Sequence, residues 1–134
     1  MMDPINEFGN SAGKIWRVLD KHGPLKKTDI MKHSRLDSHL FHAAVGWLAR
    51  ENKINLDNNT YKLGETNLIG SIGTNAGLVW RALEAWGEND TKNLSLLTQL
   101  KDQDLYAALG WLGREDKIII TKDKNKKTLK IRLK

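Results

Sequence analysis

The N-terminal half of the chain carries apolar side chains at helical spacing in separate segments. The first segment turns four side chains to one face, at positions i, i+3, i+4 and i+7: Ala12, Ile15, Trp16 and Leu19. Its helix ends at Gly23-Pro24, because glycine accepts a left-handed cap and proline cannot continue a helix. Thr28 opens a short second helix, and Asp37 or Ser38 caps a third. The third helix turns these residues inward: Phe41, Ala44, Val45 and Leu48.

Two short segments follow the third helix, at residues 53–56 and 60–63, and apolar and polar residues alternate in each. They flank a turn rich in aspartate and asparagine, and this pattern is typical of a β-hairpin. Helix, short helix, longer helix and hairpin is the order of elements in a winged helix-turn-helix domain. We therefore expect this fold in the N-terminal half of the chain.

The second half of the chain repeats the first. Residues 9–54 align with residues 73–118 without a gap, and 17 of the 46 aligned residues are identical. A tandem duplication accounts for this similarity. The sequence therefore predicts two tandem winged helix-turn-helix domains, residues 1–64 and 65–134, in a mainly α fold with small β-hairpins (α+β).

Two motifs occur in both copies. Ala-Gly-x-[Ile/Val]-Trp-Arg begins at Ala12 and Ala76, and Ala-Ala-x-Gly-Trp-Leu-x-Arg-Glu-x-Lys-Ile begins at Ala43 and Ala107. Through these motifs the chain resembles a small uncharacterised prokaryotic family of winged helix-turn-helix domains. The resemblance implies the fold and a DNA-binding role. Most chains of that family carry one unit, so the tandem arrangement departs from its pattern.

The composition narrows the class of protein. The chain contains no cysteine, which excludes disulfide bonds, thiolate zinc sites and cysteine nucleophiles. No apolar run approaches the ~18 residues of a membrane span, and the N-terminus lacks the features of a secretory signal. We expect a cytoplasmic protein with no membrane partner. The chain has no glycine-rich phosphate loop and no nucleophile motif, so we expect no enzymatic activity, cofactor or metal site.

The net charge of +6 is concentrated near the C-terminus. Residues 1–64 carry +3, residues 65–116 carry −4 and residues 117–134 carry +7. Such a basic segment favours polyanions, nucleic acid foremost. In the longer second hairpin, the residues that we expect to contact phosphates are Lys122, Lys124, Lys126, Lys127, Lys130 and Arg132. The other interpretation is a solubilising edge strand whose lysines prevent pairing with another sheet.

The third helix of a DNA-binding winged domain enters the major groove, where hydrogen-bonding side chains read the bases. The candidates for reading bases lie in the first copy: Ser34, Arg35, Ser38, His39 and His42. Lys26 and Lys27 lie nearby for phosphate contacts. The other interpretation is that this set forms the solvated side of a helix. The second copy has Asp102 and Asp104 in the equivalent segment, and their charge opposes docking on DNA.

Small residues and tryptophan recur in the third helix of each copy: Ala43, Gly46 and Trp47 match Ala107, Gly110 and Trp111. Glycine inside a helix costs about 1 kcal/mol relative to alanine, so its recurrence indicates that another backbone comes close. The Ala12-Gly13 and Ala76-Gly77 pairs could supply that backbone within each copy. Alternatively, this surface is an interface between the copies or between chains, where tryptophan is a favoured anchor.

Further expectations concern tryptophans and charged pairs. We expect Trp16 and Trp80 in the two cores and Trp86 between the domains. Arg50-Glu51 and Arg114-Glu115 end the third helices, and we expect each to pair with the preceding helix of its own copy. The other interpretation is that these arginines contact a phosphate backbone.

The leading functional hypothesis is a non-catalytic protein that binds double-stranded DNA, a candidate regulator of transcription. Its contacts would come from the third helix of the first copy and the basic C-terminal wing. The alternative is an assembly module, in which winged helices bind a protein partner or a second copy of the chain instead of DNA. The tandem winged-helix subunits of the endosomal-sorting machinery are similar in architecture. The charge of −4 on residues 65–116 favours this alternative.

Overall fold

The computed structural model of the chain describes residues 2–122 and 128–134. The first repeat contains α1 (Pro4–His22), β1 (Leu25–Lys26), α2 (Lys27–Ser34), α3 (Ser38–Arg50), β2 (Ile54–Asp57) and β3 (Thr60–Leu63). A short π-helical turn, Ile69–Gly73, leads into the second repeat. That repeat contains α4 (Thr74–Trp86), β4 (Asn89–Asp90), α5 (Thr91–Thr98), α6 (Asp102–Arg114), β5 (Ile118–Lys122) and β6 (Leu129–Leu133).

Each repeat pairs its strands in a three-stranded antiparallel sheet of the same topology. The strand orders are β1-β3-β2 and β4-β6-β5. The predicted hairpins are present, with Ile54 opposite Leu63 and Ile118 opposite Leu133. The outer strands β1 and β4 have two residues each, too few for an alternating pattern to reveal them in the sequence. The predicted fold, two winged helix-turn-helix domains, is confirmed.

Local chemistry sets the helix ends. Gly23 and Gly87 follow α1 and α4 with φ of 77° and 76°, a backbone region that favours glycine. Asp37 caps α3, because its Oδ1 accepts a hydrogen bond from the Leu40 backbone N–H at 2.9 Å. Helix α1 begins at Pro4, earlier than its apolar stripe predicts, since proline suits the first turn of a helix. The additional turns of α1 extend towards the second repeat.

Each repeat has its own apolar core, and each core takes in two buried residues from the other repeat, of which one pair is Ala43 in the second core and the equivalent Ala107 in the first. The first core is formed around these residues: Ile15, Ile30, Phe41, Leu48 and Ile54. The second is formed around Leu83, Leu94, Leu105, Leu112 and Ile131. Phe8 of α1 lies in the second core, and Ile72, which aligns with Phe8 in the second repeat, lies in the first. This exchange joins the repeats through buried side chains.

The two third helices, α3 and α6, cross with their backbones in direct contact. A Cβ added to Gly46 would lie 2.7 Å from the carbonyl carbon of Ala107, and a Cβ added to Gly110 would lie 2.7 Å from that of Ala43. A glycine hydrogen occupies that position instead and points at the opposing carbonyl, a C–H···O contact that recurs at helix crossings. Only glycine allows this approach. The close backbone predicted from the sequence therefore comes from the other repeat, and not from Ala12-Gly13 or Ala76-Gly77.

Ion pairs flank the crossing at the C-terminal ends of α3 and α6. Arg50 Nε donates to Glu115 Oε2 at 3.0 Å, and Arg114 Nε donates to Glu51 Oε2 at the same distance. The expectation that these residues pair with the preceding helix of their own copy is therefore wrong. The contacts are reciprocal, as in a twofold interface between identical subunits.

We predict that Gly46→Ala and Gly110→Ala each lower the free energy of unfolding by about 2–3 kcal/mol, because the new methyl group meets backbone that cannot rotate away. Denaturant unfolding followed by circular dichroism measures this change. Gly77→Ala is the matched control: it also lies inside a helix, but a Cβ there meets nothing within 4 Å. The control should leave stability unchanged or raise it by up to about 1 kcal/mol. Wild-type stability in both crossing variants would contradict the packing described here.

Candidate nucleic-acid interface

Three of the predicted DNA-contacting residues contact one another where α2 and α3 begin. Lys27 Nζ donates to Ser38 Oγ at 3.2 Å and lies 3.0 Å from His42 Nε2. The ammonium group is also 5.7 Å from the centroid of the Phe41 ring. Because an ammonium group can only donate, His42 Nε2 accepts the hydrogen bond and its ring is neutral. Lys27 and His42 are thus engaged within the protein.

The environment of His42 keeps its ring uncharged. Burial, followed by the charge of Lys27 and the proximity of His39, lowers the pKa of His42 from 6.5 to about 4. A neutral imidazole lacks the positive charge that attracts phosphate, although it can still form hydrogen bonds. At neutral pH, His42 therefore contributes hydrogen-bonding groups to this surface and no positive charge.

His39 faces the second repeat. Its ring stacks on Tyr106 of α6, with centroids 4.1 Å apart and planes inclined by 5°. His39 Nε2 also lies 3.4 Å from Asp102 Oδ2. This predicted base-reading residue is thus held against α6.

The other candidates around α2 differ in exposure. Lys26 and Arg35 are exposed, and Arg35 ends α2 in the left-handed region with φ of 59°. Ser34 is buried, and its Oγ has no hydrogen-bond partner among the described residues. Lys26, Arg35 and the partly engaged Ser38 therefore face solvent, together with the exposed part of the His39 side chain.

The middle of α3 is covered on two sides. Phe41, Ala44 and Leu48 face the core of the first repeat, and Ala43 and Gly46 face α6. Only residues in its first turn and Arg50 at its last position are exposed along this helix. A helix that lies along the major groove needs a free face. In this arrangement, the exposed residues of α3 lie only at its two ends.

The second hairpin presents a basic face. Lys130 and Arg132 are exposed on one face of this hairpin, while Ile120 and Ile131 are buried on the other. Lys122 is also exposed, but the strand register places it on the same face as Ile120, at the end of β5. Lys122 Nζ lies 3.9 Å from Glu7 Oε1, and Lys134 Nζ donates to Asp116 Oδ2 at 2.6 Å. Buried Ile131 thus lies between two exposed basic residues of the last strand. Three further predicted wing residues lie outside the described residues: Lys124, Lys126 and Lys127.

Two tryptophans differ in position from the expectation. Trp86 does not lie between the domains, because 69% of its surface is exposed. Trp16 is not a core residue either, since it is 39% exposed on the outer side of α1. Trp80, its counterpart, is half-buried against the second core.

The remaining two tryptophans lie near the helix crossing, each beside an arginine of the other repeat. The Trp47 ring is 6.0 Å from the guanidinium carbon of Arg114, and the Trp111 ring is 5.8 Å from that of Arg50. At this separation a guanidinium group is attracted to the face of an indole ring. The tryptophans therefore add a second reciprocal contact between the repeats.

The fold and the helix arrangement define a protein of the winged helix-turn-helix class. Residues 1–64 and 65–131 each match the family described as "Winged helix-turn-helix domain (DUF2582)", and the chain belongs to this family. The uncharacterized protein MJ1608 of Methanocaldococcus jannaschii is 38% identical over 72 residues, a match that covers 49% of this chain and 97% of that protein. That relative therefore corresponds in length to about one repeat. No solved structure matches the chain significantly.

Neither a membrane span nor a metal cluster is found in the part of the chain that the structure describes. No helix among the described residues is both long enough and apolar enough to cross a bilayer. The same residues contain no group of three or more histidine, cysteine, aspartate or glutamate side chains placed to hold a metal ion.

We predict that His42→Gln reduces the loss of stability on acidification. The folded pKa of His42 is below its unfolded value, so the unfolded chain binds the proton more readily. The contribution of His42 to the free energy of unfolding is therefore complete above pH 6.5 and is lost as the pH falls towards about 4. Between pH 7 and pH 5, we expect the free energy of unfolding to fall by roughly 1 kcal/mol more in wild type than in the variant, after discounting for the partial exposure of the ring. Denaturant unfolding at the two pH values measures this difference, and equal losses would contradict it.

Proposed function

We propose that the protein binds double-stranded DNA without catalysis and that its contacts go chiefly to the phosphate backbone. The observation that carries this proposal is the exposed basic face of the second hairpin, formed by Lys130 and Arg132. It belongs to the segment, residues 117–134, that carries a charge of +7. The wing of a winged helix commonly follows the DNA backbone, and a winged helix-turn-helix domain fits a DNA-binding role in general.

A second contact is proposed at the turn between α2 and α3. Lys26, Arg35 and Ser38 face solvent there and could donate hydrogen bonds to phosphate oxygens. Because α6 covers the middle of α3, few side chains of that helix are available to read base edges. We therefore expect binding with strong salt dependence and little sequence preference, and a regulatory role in transcription would depend on a partner or on DNA shape.

Replacement of two described wing residues tests this proposal. We expect Lys130→Glu/Arg132→Glu to weaken binding to a random 20-base-pair duplex by at least tenfold at low salt. The slope of log affinity against log salt should also fall by about two, since each phosphate contact contributes about one. Fluorescence anisotropy of a labelled duplex at several salt concentrations measures both quantities.

The matched control is Lys14→Glu/Lys21→Glu, which changes the net charge equally on the exposed side of α1. If the wing binds the phosphates, this control should lower the affinity only slightly. Equal effects of the two double variants would show that net charge alone attracts DNA. No binding by wild type at low salt would overturn the proposal.

The alternative function, a protein-interaction module, is favoured by an exposed apolar patch on the second repeat. Trp86, Leu96 and Leu97 are 69%, 72% and 43% exposed, whereas the equivalent residues of the first repeat are His22, Lys32 and His33. Exposed apolar patches often mark protein interfaces. If a second copy binds there, sedimentation should detect a dimer in wild type and a monomer in Trp86→Ser/Leu96→Ser. A wild-type monomer would exclude self-association.

A further inference from the structure

Two equivalent grooves lie on the surface, one in each repeat. The groove of the first repeat has a volume of about 460 Å³ and that of the second about 470 Å³. Each is lined by nine residues, and all nine are identical at aligned positions of the two repeats. Over the aligned region as a whole, only 17 of 46 residues are identical. The identity of the repeats is thus concentrated around the grooves.

Part of the lining is needed for packing. A Cβ added to Gly9 would lie 2.9 Å from Trp47 Cζ2, so this glycine makes room for the indole ring. Ala12 and Leu48 are buried in the first core. Glu51 belongs to the ion pairs that flank the helix crossing, and its Oε1 also lies 3.7 Å from the Nζ of a neighbouring lysine. The fold alone therefore accounts for these residues.

The glycines on the floor of the grooves are not explained by packing. A Cβ on Gly77 would meet nothing within 4 Å, and one on Gly13 would meet only Arg17 Nη1 at 3.6 Å. Both residues lie inside helices, where glycine is about 1 kcal/mol less favourable than alanine. Both repeats thus have a glycine at the bottom of the groove, although the packing of the fold does not require one there.

Each groove is also lined by two tryptophans and an arginine. Trp16 and Trp47 both line the first groove, and Trp16 is 39% exposed. Arg17 forms no ion pair within the described residues, while Glu51 is already paired with other cations. The groove therefore combines two indole surfaces with an uncompensated positive charge. Arg81 holds the corresponding place in the second groove.

We propose that each groove binds a small planar aromatic molecule that carries an acidic group. The ring lies over Gly13 against the tryptophans, and the carboxylate or phosphate group pairs with Arg17. A volume near 460 Å³ lies within the range of small-molecule sites, about 300–1,000 Å³. Duplex DNA does not fit this site well, because its bases stay stacked and its phosphates would leave the indole surfaces uncovered.

Isothermal titration of the full chain with 2-naphthoate, 2-naphthyl phosphate and the neutral 2-naphthamide tests the proposal. We expect two molecules of at least one anion per chain, bound at least tenfold more tightly than the amide. The two anions distinguish a carboxylate from a phosphate ligand. Arg17→Gln/Arg81→Gln should remove the preference for the anion. An unchanged preference in that variant, or no binding of either anion by wild type at millimolar concentration, would overturn the proposal.

Filling the groove floor provides a second test. Gly13→Leu should reduce the stoichiometry from two to one, and Gly13→Leu/Gly77→Leu should abolish binding while circular dichroism shows the wild-type fold. Gly70→Leu is the matched control, because a Cβ at Gly70 also meets nothing within 4 Å and this residue lies outside both grooves. It should keep a stoichiometry of two. Two bound molecules in the double leucine variant would contradict the proposed site.

This inference does not depend on the proposed function. The wing variant Lys130→Glu/Arg132→Glu should bind the aromatic anion as wild type does, because neither residue lines a groove. Loss of anion binding in that variant would place the anion on the wing and overturn the groove proposal. Failure of DNA binding with intact anion binding would overturn the proposed function alone.

Discussion

The structure depends on the direct contact between the backbones of α3 and α6. Gly46 and Gly110 bring the helices so close that a methyl group at either position would overlap the opposing carbonyl. Around this crossing, Phe8 and Ile72 enter each other's cores, and the arginines that end α3 and α6 reach the glutamates of the opposite repeat. Each contact occurs twice in reciprocal form. The two repeats therefore behave structurally like the subunits of a symmetric dimer joined in one chain.

This arrangement changes what a winged helix can do. The helix that usually reads DNA bases in a winged helix here packs against its counterpart, so the middle of α3 is covered by α6. The surfaces that remain exposed include the basic wing, the turn between α2 and α3, the paired grooves and the apolar patch around Trp86. The relative from Methanocaldococcus jannaschii matches over 97% of its length with about half of this chain. That relative thus corresponds in length to about one repeat, whereas this chain contains two.

The sequence predicts the fold well because helical periodicity, glycine ends and hairpin turns are local signals. It also marks Gly46 and Gly110 as places of close approach. It does not reveal which backbone approaches, since a partner in the other half of the chain leaves no local pattern. The ion pair of Arg50 with Glu115 is hidden for the same reason. The grooves do leave a signal in the sequence, because Gly13 recurs in the second repeat without an evident structural need.

The contact between α3 and α6 is tested most directly by nuclear Overhauser spectroscopy of the full chain, which detects protons that lie close together across the helix crossing. If the two third helices are in direct contact, cross-peaks appear between the α protons of Gly46 and Ala107, and equally between those of Gly110 and Ala43. Repeats that move independently would show neither pair, while cross-peaks within each repeat persist. That second result would contradict the central claim that the two third helices are locked together.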